Sequence, residues 1–166
     1  MQASFTIRRA VVSDRPLCIQ FMAALQDTER DLHPNRPPGT EVAVGHFAYL
    51  EERVREQNGA IYVAESENSI VGFVICFVEK LDDGDLHVVE SARVYGYISD
   101  LYITSTMRKQ GVGAALMTAA EQHFLGLGLS VVRVGLLCRN QVAAQFYERS
   151  GYQPYEVVYE KILGES

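Results

Sequence analysis

The sequence predicts a single α/β (α+β) domain, because segments with strand periodicity and helix periodicity alternate along it. Apolar and polar residues alternate in the strand-like segments, and apolar residues recur every three or four positions in the helix-like ones. The resulting order is β-α-α-β-β-β-α-β-α-β. At 166 residues, the whole chain (1–166) has the length of one domain with a sizeable core.

The first three elements are a strand and two helices. Residues 5–10 alternate and predict the strand. Ser13 or Asp14 can cap the first helix, and Pro16 near its start suits a first helical turn. A second helix is expected over about residues 42–56.

A proline-rich segment lies between the two helices, and a hairpin follows them. Residues 30–40 hold three prolines and a glycine and are expected to be irregular. Residues 60–65 and 70–79 predict the two strands of the hairpin, across the turn 66–69. The polar segment 80–92 is expected to be a loop.

The C-terminal half contains a glycine loop between a strand-like run, 95–103, and a helical run that begins at Val112. The loop reads Arg108-Lys109-Gln110-Gly111-Val112-Gly113. Backbone N–H groups at the start of a helix point outward, and the positive end of the helix dipole favours negative charge. Gly111 and Gly113 carry no Cβ that would keep the main chain from a pyrophosphate. The segment therefore predicts an anion site.

Three glycine-loop patterns compete for this segment. A Walker loop ends in Gly-Lys-Ser/Thr, and this loop has no such end. A dinucleotide-binding fingerprint needs a third small residue where Leu116 stands and an acidic residue near position 133, which is Arg133. The third pattern, Arg/Gln-x-x-Gly-x-Gly/Ala, fits at every position.

This third pattern resembles that of the GCN5-related N-acetyltransferase (GNAT) superfamily. A predicted strand over residues 130–138 and a second matching block follow the loop. That block resembles the superfamily's Asn…Ala…Phe-Tyr…Gly-Phe sequence, with Tyr in place of the last Phe; its residues are Asn140, Ala143, Ala144, Phe146, Tyr147, Gly151 and Tyr152. The resemblance is close over residues 96–152 and generic before them.

The resemblance implies an acyl-CoA N-acyltransferase fold. In that fold, a mixed, twisted sheet of about six or seven strands is flanked by about four helices, and two central parallel strands splay apart. It also implies acetyl-CoA as the cosubstrate, with its pantetheine arm along the strand edge and its pyrophosphate on the glycine loop. The implied contacts are Leu101, Tyr102, Ile103, Arg108, Lys109, Gln110, Gly111, Val112, Gly113, Ala114, Asn140, Phe146 and Tyr147.

The implied reaction is direct attack of a primary amine on the acetyl thioester in a ternary complex. A free alkylamine has a pKa of about 10.4, so the site needs a proton acceptor, and the leaving thiolate gains from a proton donor. Tyr147, at the family's tyrosine position, is the candidate acid, with core packing as the alternative. Asp100 is the candidate base, although the family often places that carboxylate where this chain has Ser99. A strand-edge N–H near Tyr102 is the candidate oxyanion donor.

The acceptor amine is not identified by the sequence, and a small molecule, an amino acid, an antibiotic and a peptide all remain open. Glu29 and Asp31, beside the proline-rich segment, are candidates for neutralising a cationic substrate. The alternative to an enzyme is a non-catalytic module that binds acyl-CoA as a regulatory ligand.

Composition narrows the class further. A net charge of −6 argues against a nucleic-acid partner, and the longest apolar stretch, 70–78, is too short to cross a membrane. The odd number of cysteines, three, predicts reduced, buried thiols at Cys18, Cys76 and Cys138 in a cytoplasmic protein. The four histidines show no metal-ligand spacing, so no metal is expected. A homodimer is compatible with the resemblance.

Overall fold

Five strands form one mixed sheet, in the order β1-β2-β3-β4-β5, in the computed structural model, which describes residues 4–164. The strands are β1 (Thr6–Arg9), β2 (Ala60–Ser66), β3 (Ser69–Lys80), β4 (Val94–Ile103) and β5 (Val132–Val134). Neighbouring strands are antiparallel, except that β4 and β5 run parallel. The predicted mixed sheet is confirmed, with fewer strands than the six or seven expected.

Four helices cover the two faces of the sheet. They are α1 (Arg15–Leu32), α2 (Gly39–Glu56), α3 (Val112–Gly126) and α4 (Gln141–Arg149). The cluster on the α1/α2 face includes Met22, Phe47, Phe73 and Ile75, and the cluster on the α3 face includes Val74, Ile98, Leu116 and Phe124. In residues 4–164, no helix is both long and apolar enough to cross a bilayer.

The connection between α1 and α2 is shorter than predicted. Only residues 33–38 are irregular, because α1 continues to Leu32 and α2 begins at Gly39. The Asp27 carboxylate accepts a hydrogen bond of 2.7 Å from the Gly39 N–H and fixes this start. A Cβ on Gly39 would lie 2.1 Å from the Ala23 carbonyl oxygen, so glycine is what allows α2 to approach α1.

Asp14 does precede α1, but its side chain does not cap the helix. Its carboxylate instead accepts hydrogen bonds from the Arg8 guanidinium at 2.7 and 3.0 Å and from the Val11 N–H at 2.8 Å. Arg8 lowers the pKa of this largely buried carboxyl. Asp14 therefore ties β1 to the start of α1.

The C-terminal strands are where the sequence expectation was wrong. The strand predicted over residues 130–138 is only Val132–Val134, and the last strand of the expected order, which would follow α4, does not form in the described residues. The apolar alternation is present, but within the described residues β5 pairs with β4 alone. A strand needs a neighbour for its backbone groups, and this edge has none in the described chain.

Candidate functional site

The parallel strands β4 and β5 separate halfway along β4. Their pairing covers Gly96–Val132, Tyr97–Arg133 and Ile98–Val134, while β4 continues to Ile103 alongside β3. In the described chain, residues 99–103 therefore have a strand partner on one side only. Their other edge offers backbone donors and acceptors to a ligand.

A β-bulge at Ser99 lies at the point where the strands separate. Ile75 of β3 faces Asp100, whereas the next residue, Cys76, faces Ile98, so Ser99 is the extra residue. The bulge reverses the alternation of β4: Tyr97 and Tyr102 both pack against the α1/α2 cluster, although one position is odd and the other even. Asp100, which pairs with Ile75 of that cluster, is thereby re-aimed toward the α1/α2 face.

Asp100 belongs to a group of titratable side chains brought together from α1, α2 and β4. Burial raises the pKa of Asp100, against the opposing effects of a hydrogen bond from the Ser99 hydroxyl and of His46. Burial also raises the pKa of Glu29, and the nearby Asp100 charge adds to the rise. The Tyr97 pKa is raised by burial and by both carboxylates. The two acids and the tyrosine therefore share one poorly solvated site.

Tyr147 on α4 reaches the same site from the opposite face of the sheet. Its ring packs against Phe146 and Tyr152, with centroids 5.4 and 6.0 Å away. Burial raises the pKa of Tyr147 to about 12, and Asp100 and Glu29 contribute to the rise. The gap between β4 and β5 thus connects a protonated phenol on one face with two carboxylates on the other.

The glycine loop lies at the start of α3, directly after β4. Gly111 occupies the position before the helix with φ of 87°, and a Cβ placed on it would have no neighbour within 4 Å. The first helical hydrogen bond runs from the Ala115 N–H to the Gly111 carbonyl. The amides of residues 112–114 precede that bond and point to the open side of the loop. This is the local geometry of an anion site.

The three polar side chains that precede Gly111 in the loop have different surroundings. Arg108 is exposed and donates from Nε to the Ile103 carbonyl at 3.2 Å, which holds it against the end of β4. Lys109 is exposed and has a left-handed backbone, with φ of 62°. Gln110 donates from Nε2 to the Thr106 carbonyl at 2.8 Å. The loop is thus built by its own side chains and keeps positive charge at its rim.

The other predicted cofactor residues line the seam between α3 and α4. A Cβ on Gly113 would lie 3.1 Å from the Phe146 ring and 3.3 Å from Ile103, so this glycine serves close packing. Val112 is buried, Ala114 is exposed, and Leu101 packs with the α3 cluster. The Asn140 side chain accepts from the Ala143 N–H at 3.1 Å and caps α4. The Tyr102 ring packs against Phe21 of α1, with the ring centroids 5.1 Å apart and the planes tilted by 31°.

Two members of the site were not proposed from the sequence, and one cysteine was misassigned. His46 lies on α2 and Tyr97 on β4, and neither belongs to a motif of the chain. Glu29 was proposed as a charge that neutralises a cationic substrate, with surface charge as the alternative; its half-buried carboxylate lies 3.3 Å from Arg36 and its pKa is also raised by the Asp100 charge. Cys138 is exposed, because the predicted strand ends four residues before it, whereas Cys18 and Cys76 are buried as expected. The described residues hold no group of three or more potential metal ligands.

Comparison with known proteins identifies the family to which this chain is similar. The model of the acetyltransferase (GNAT) family matches residues 22–152. An uncharacterized N-acetyltransferase of Methanocaldococcus jannaschii is 26% identical over 110 residues, which are 66% of this chain and 46% of the relative; the chain thus spans about half the length of that relative.

Solved structures have the same fold. A GCN5-related N-acetyltransferase from Ralstonia eutropha superposes with a TM-score of 0.73 at 20% identity, covering 97% of this chain and 100% of the other. The aminoglycoside N-acetyltransferase AAC(6')-Iy, in complex with CoA, gives 0.67 at 14% identity, covering 98% and 97%. With the family model matching most of the sequence, the chain belongs to the GNAT acetyltransferase family.

Proposed function

We propose that this protein transfers the acetyl group of acetyl-CoA to a primary amine by direct attack in a ternary complex. The observation that carries the proposal is the gap between β4 and β5, at which Tyr147 and Asp100 approach from opposite faces of the sheet. An amine on the α1/α2 face and a thioester in the gap would meet there. The acceptor and donor would then be held on one line, which lowers the entropic cost of their reaction.

The residues present fit coenzyme A. The open amides after Gly111, next to Arg108 and Lys109, suit a pyrophosphate, and the free edge of residues 99–103 suits a pantetheine arm with its amide groups. Bound acetyl-CoA supplies the activated acetyl group.

Asp100 takes the role of proton acceptor. A protonated amine must lose its proton before it attacks, and a buried carboxylate with a raised pKa binds that proton more readily than an exposed one. Tyr147 takes the role of proton donor to the leaving thiolate, since its pKa of about 12 keeps the phenol protonated at neutral pH. A backbone N–H near Tyr102 would stabilise charge on the acetyl oxygen.

The acceptor would be a cationic small molecule, an amino acid, an antibiotic or a peptide amine. The charges of Glu29 and Asp100 influence each other, and with Arg36 3.3 Å from Glu29 the two ionised carboxylates still leave this group one negative charge in excess on the α1/α2 side of the gap. The opposite charge of an ammonium group lowers the cost of ionising both. AAC(6')-Iy, one of the structural neighbours, is an aminoglycoside N-acetyltransferase, so aminoglycosides belong among the amines to be tested.

The test is release of thiol from acetyl-CoA, followed with a chromogenic reagent over a panel of amines. The proposal expects amine-dependent release by at least one cationic primary amine. A chain that binds coenzyme A but releases no thiol with any member of a broad panel would instead be a regulatory acyl-CoA-binding module. Thermal-shift screening of the same panel with coenzyme A present would show which amines bind.

Replacing Gly111 by valine is expected to weaken coenzyme A binding by more than about 1.4 kcal/mol, or tenfold. A Cβ branch at a φ of 87° strains the loop and covers the amides that face the pyrophosphate. Titration calorimetry measures the affinity. Gly128→Val is the matched control, because Gly128 has φ of 78° and open space but lies at the far end of α3. Equal affinity in a folded Gly111→Val protein contradicts the site.

Replacing both Arg108 and Lys109 by glutamine is expected to weaken coenzyme A binding and to flatten its dependence on salt, since exposed charges are screened within about 10 Å at 0.1 M salt. Calorimetry at several ionic strengths measures the slope. The control replaces Arg55 and Lys80 by glutamine, because Lys80 pairs with Val94 at the start of β4, at the end of the strands opposite the loop. If both double variants keep the wild-type slope, the loop cations do not contact the phosphates.

A further inference from the structure

Two buried side-chain polar atoms have no hydrogen-bond partner within residues 4–164. One is Oγ1 of Thr104, which directly follows β4, and the other is Nε of Arg36, in the connection between α1 and α2. A buried polar atom without a partner costs free energy of folding, so such atoms are rare unless a ligand or water serves them. Thr104 adjoins the strand edge proposed above for coenzyme A, whereas Arg36 belongs to the acceptor side.

The unpaired nitrogen of Arg36 lies next to the acidic part of the site. Nε is 3.3 Å from a carboxylate oxygen of Glu29, which is an ion-pair distance, but the N–H direction gives no hydrogen bond. Accordingly, Arg36 opposes the rise in the Glu29 pKa mainly through its charge rather than through a hydrogen bond. Glu29 in turn interacts electrostatically with Asp100, the proposed proton acceptor. A buried N–H donor therefore adjoins the place of the acceptor amine.

The backbone around Arg36 is restricted, which keeps this donor from turning toward Glu29. Pro37 follows Arg36 directly and limits its backbone conformation. The Arg36 N–H donates to the His33 carbonyl at 3.3 Å, and Nε2 of Gln26 on α1 donates to the Pro37 carbonyl at 3.2 Å. The connection is thus tied to α1 on both sides of Arg36, and the Nε–H group is available to a ligand.

We propose that the acceptor is a primary amine with an uncharged oxygen on the carbon next to the amine-bearing carbon, and that this oxygen accepts a hydrogen bond from Nε of Arg36. The inference rests on the acetyl transfer proposed above. An α-amino amide and a 1,2-amino alcohol both have this arrangement, with a carbonyl and a hydroxyl oxygen respectively. Arg36 then determines which amines are accepted, while Asp100 remains the proton acceptor.

The distance between the two protein groups sets the place of the oxygen. Carbon–nitrogen and carbon–carbon single bonds are about 1.5 Å long, so a nitrogen and an oxygen joined through two carbons lie roughly 3 Å apart. This matches the 3.3 Å between Nε of Arg36 and the Glu29 oxygen. An ammonium group between Glu29 and Asp100 therefore brings such an oxygen to Arg36. A simple alkylamine leaves Nε unpaired.

Charge favours an uncharged oxygen over a carboxylate. With both acids ionised, Glu29, Asp100 and Arg36 together have one negative charge in excess, which the ammonium group of the acceptor neutralises. A carboxylate on the acceptor would restore that excess beside Glu29, where burial and the Asp100 charge already disfavour ionisation. Free amino acids are therefore expected to be poorer acceptors than their amides.

The test compares kcat/KM for matched amines, measured by thiol release, between the wild type and Arg36→Lys. Lysine keeps the positive charge but has a methylene group where arginine has Nε. The substitution is expected to lower kcat/KM for glycinamide and ethanolamine by roughly tenfold or more relative to propylamine. Because the same amines are compared in both proteins, differences in their own pKa and nucleophilicity cancel.

Arg30→Lys is the matched control, because Arg30 is an exposed residue of α1 next to Glu29. This variant should keep the wild-type preferences. An Arg36→Lys protein that also keeps them overturns the proposal, since water alone would then serve Nε. A wild type that uses glycine as well as glycinamide overturns it too. The separate responses of glycinamide and ethanolamine show whether the oxygen is a carbonyl or a hydroxyl.

Calorimetry separates failure of this inference from failure of the proposed function. Binding of the same amines to the protein with coenzyme A present requires no turnover. If no thiol is released but glycinamide or ethanolamine still binds more tightly than propylamine, and Arg36→Lys removes the difference, only the acetyl transfer is wrong. Equal Kd values in a protein that does transfer acetyl groups overturn the inference alone. Absence of binding by every amine overturns both.

Discussion

Tyr147→Phe is expected to slow acetyl transfer by roughly 10²-fold or more while leaving coenzyme A affinity nearly unchanged. The substitution removes only the hydroxyl, and the ring still packs against Phe146 and Tyr152. Because the proton is needed in the transition state, the loss should fall on kcat. Single-turnover rates are the proper measurement, since they report the chemical step rather than product release.

Tyr152→Phe is the matched control for this prediction. Tyr152 packs on the same aromatic cluster, but its hydroxyl donates to the Glu121 carboxylate of α3 at 2.8 Å. Its loss should lower stability and leave the single-turnover rate as in the wild type. If the two variants show equal rates, and both match the wild type, Tyr147 is a packing residue and water protonates the leaving group.

The local motifs of this chain were readable from the sequence because each is set by neighbouring residues. The glycine loop at 108–113 requires a left-handed glycine before a helix, and Gly111 provides it. Asn140 caps α4 as an asparagine before a helical run is expected to do. The strands on both sides of the hairpin turn end within a residue or two of their predicted bounds, since the polar turn 66–69 separates two short apolar runs.

Such reasoning named Asp100 and Glu29 as candidates but could not predict that the two carboxylates lie near each other. Periodicity assigns alternate faces to successive residues of a strand, and the extra residue at Ser99 reverses that assignment for Asp100 without any mark in the sequence. Glu29 and Asp100 are also far apart in the chain, and only the packing of α1 on β4 brings their charges together. The bulge at Ser99 and the packing of α1 against β4 both depend on residues distant in the chain, so local sequence patterns do not predict them.

The missing last strand has a different origin. The sequence predicted a last strand after α4, yet a strand exists only when another accepts its hydrogen bonds. Residues 153–164 place Tyr155 under Arg133 and Glu160 beside His33, and in the described chain they are not paired with β5.

Asp100→Asn is expected to reduce kcat/KM for the amine by roughly 10²–10⁴-fold, the usual contribution of a general base. The wild-type profile of kcat/KM against pH should have an acid limb, because activity requires the ionised carboxylate. The apparent pKa of that limb should lie above the ordinary range of an aspartate, because burial raises the pKa of Asp100. The asparagine variant should lose the limb together with the activity.

The same substitution is expected to stabilise the fold at neutral pH, which separates a functional carboxylate from a structural one. A pKa that is higher in the folded than in the unfolded state means that the folded state binds more protons between the two values. Stability therefore falls as pH rises through that window, and above it the folded protein carries the full cost of the buried charge. An asparagine side chain carries no such cost, so the Asp100→Asn protein should have a higher melting temperature than the wild type.

Asp14→Asn is the control, because its expected effect on stability at neutral pH is opposite to that of Asp100→Asn. Arg8 holds the pKa of Asp14 below its ordinary value, so this carboxylate stabilises the fold above the unfolded pKa and loses that effect as pH falls. Its replacement should lower the melting temperature at neutral pH and leave turnover unchanged, because Asp14 precedes α1 at the end of the helix opposite to Glu29. An Asp100→Asn protein that melts earlier than the wild type and still transfers acetyl groups at the normal rate would make Asp100 a structural residue. The proton acceptor would then have to be Glu29, the other acid that shares the gap.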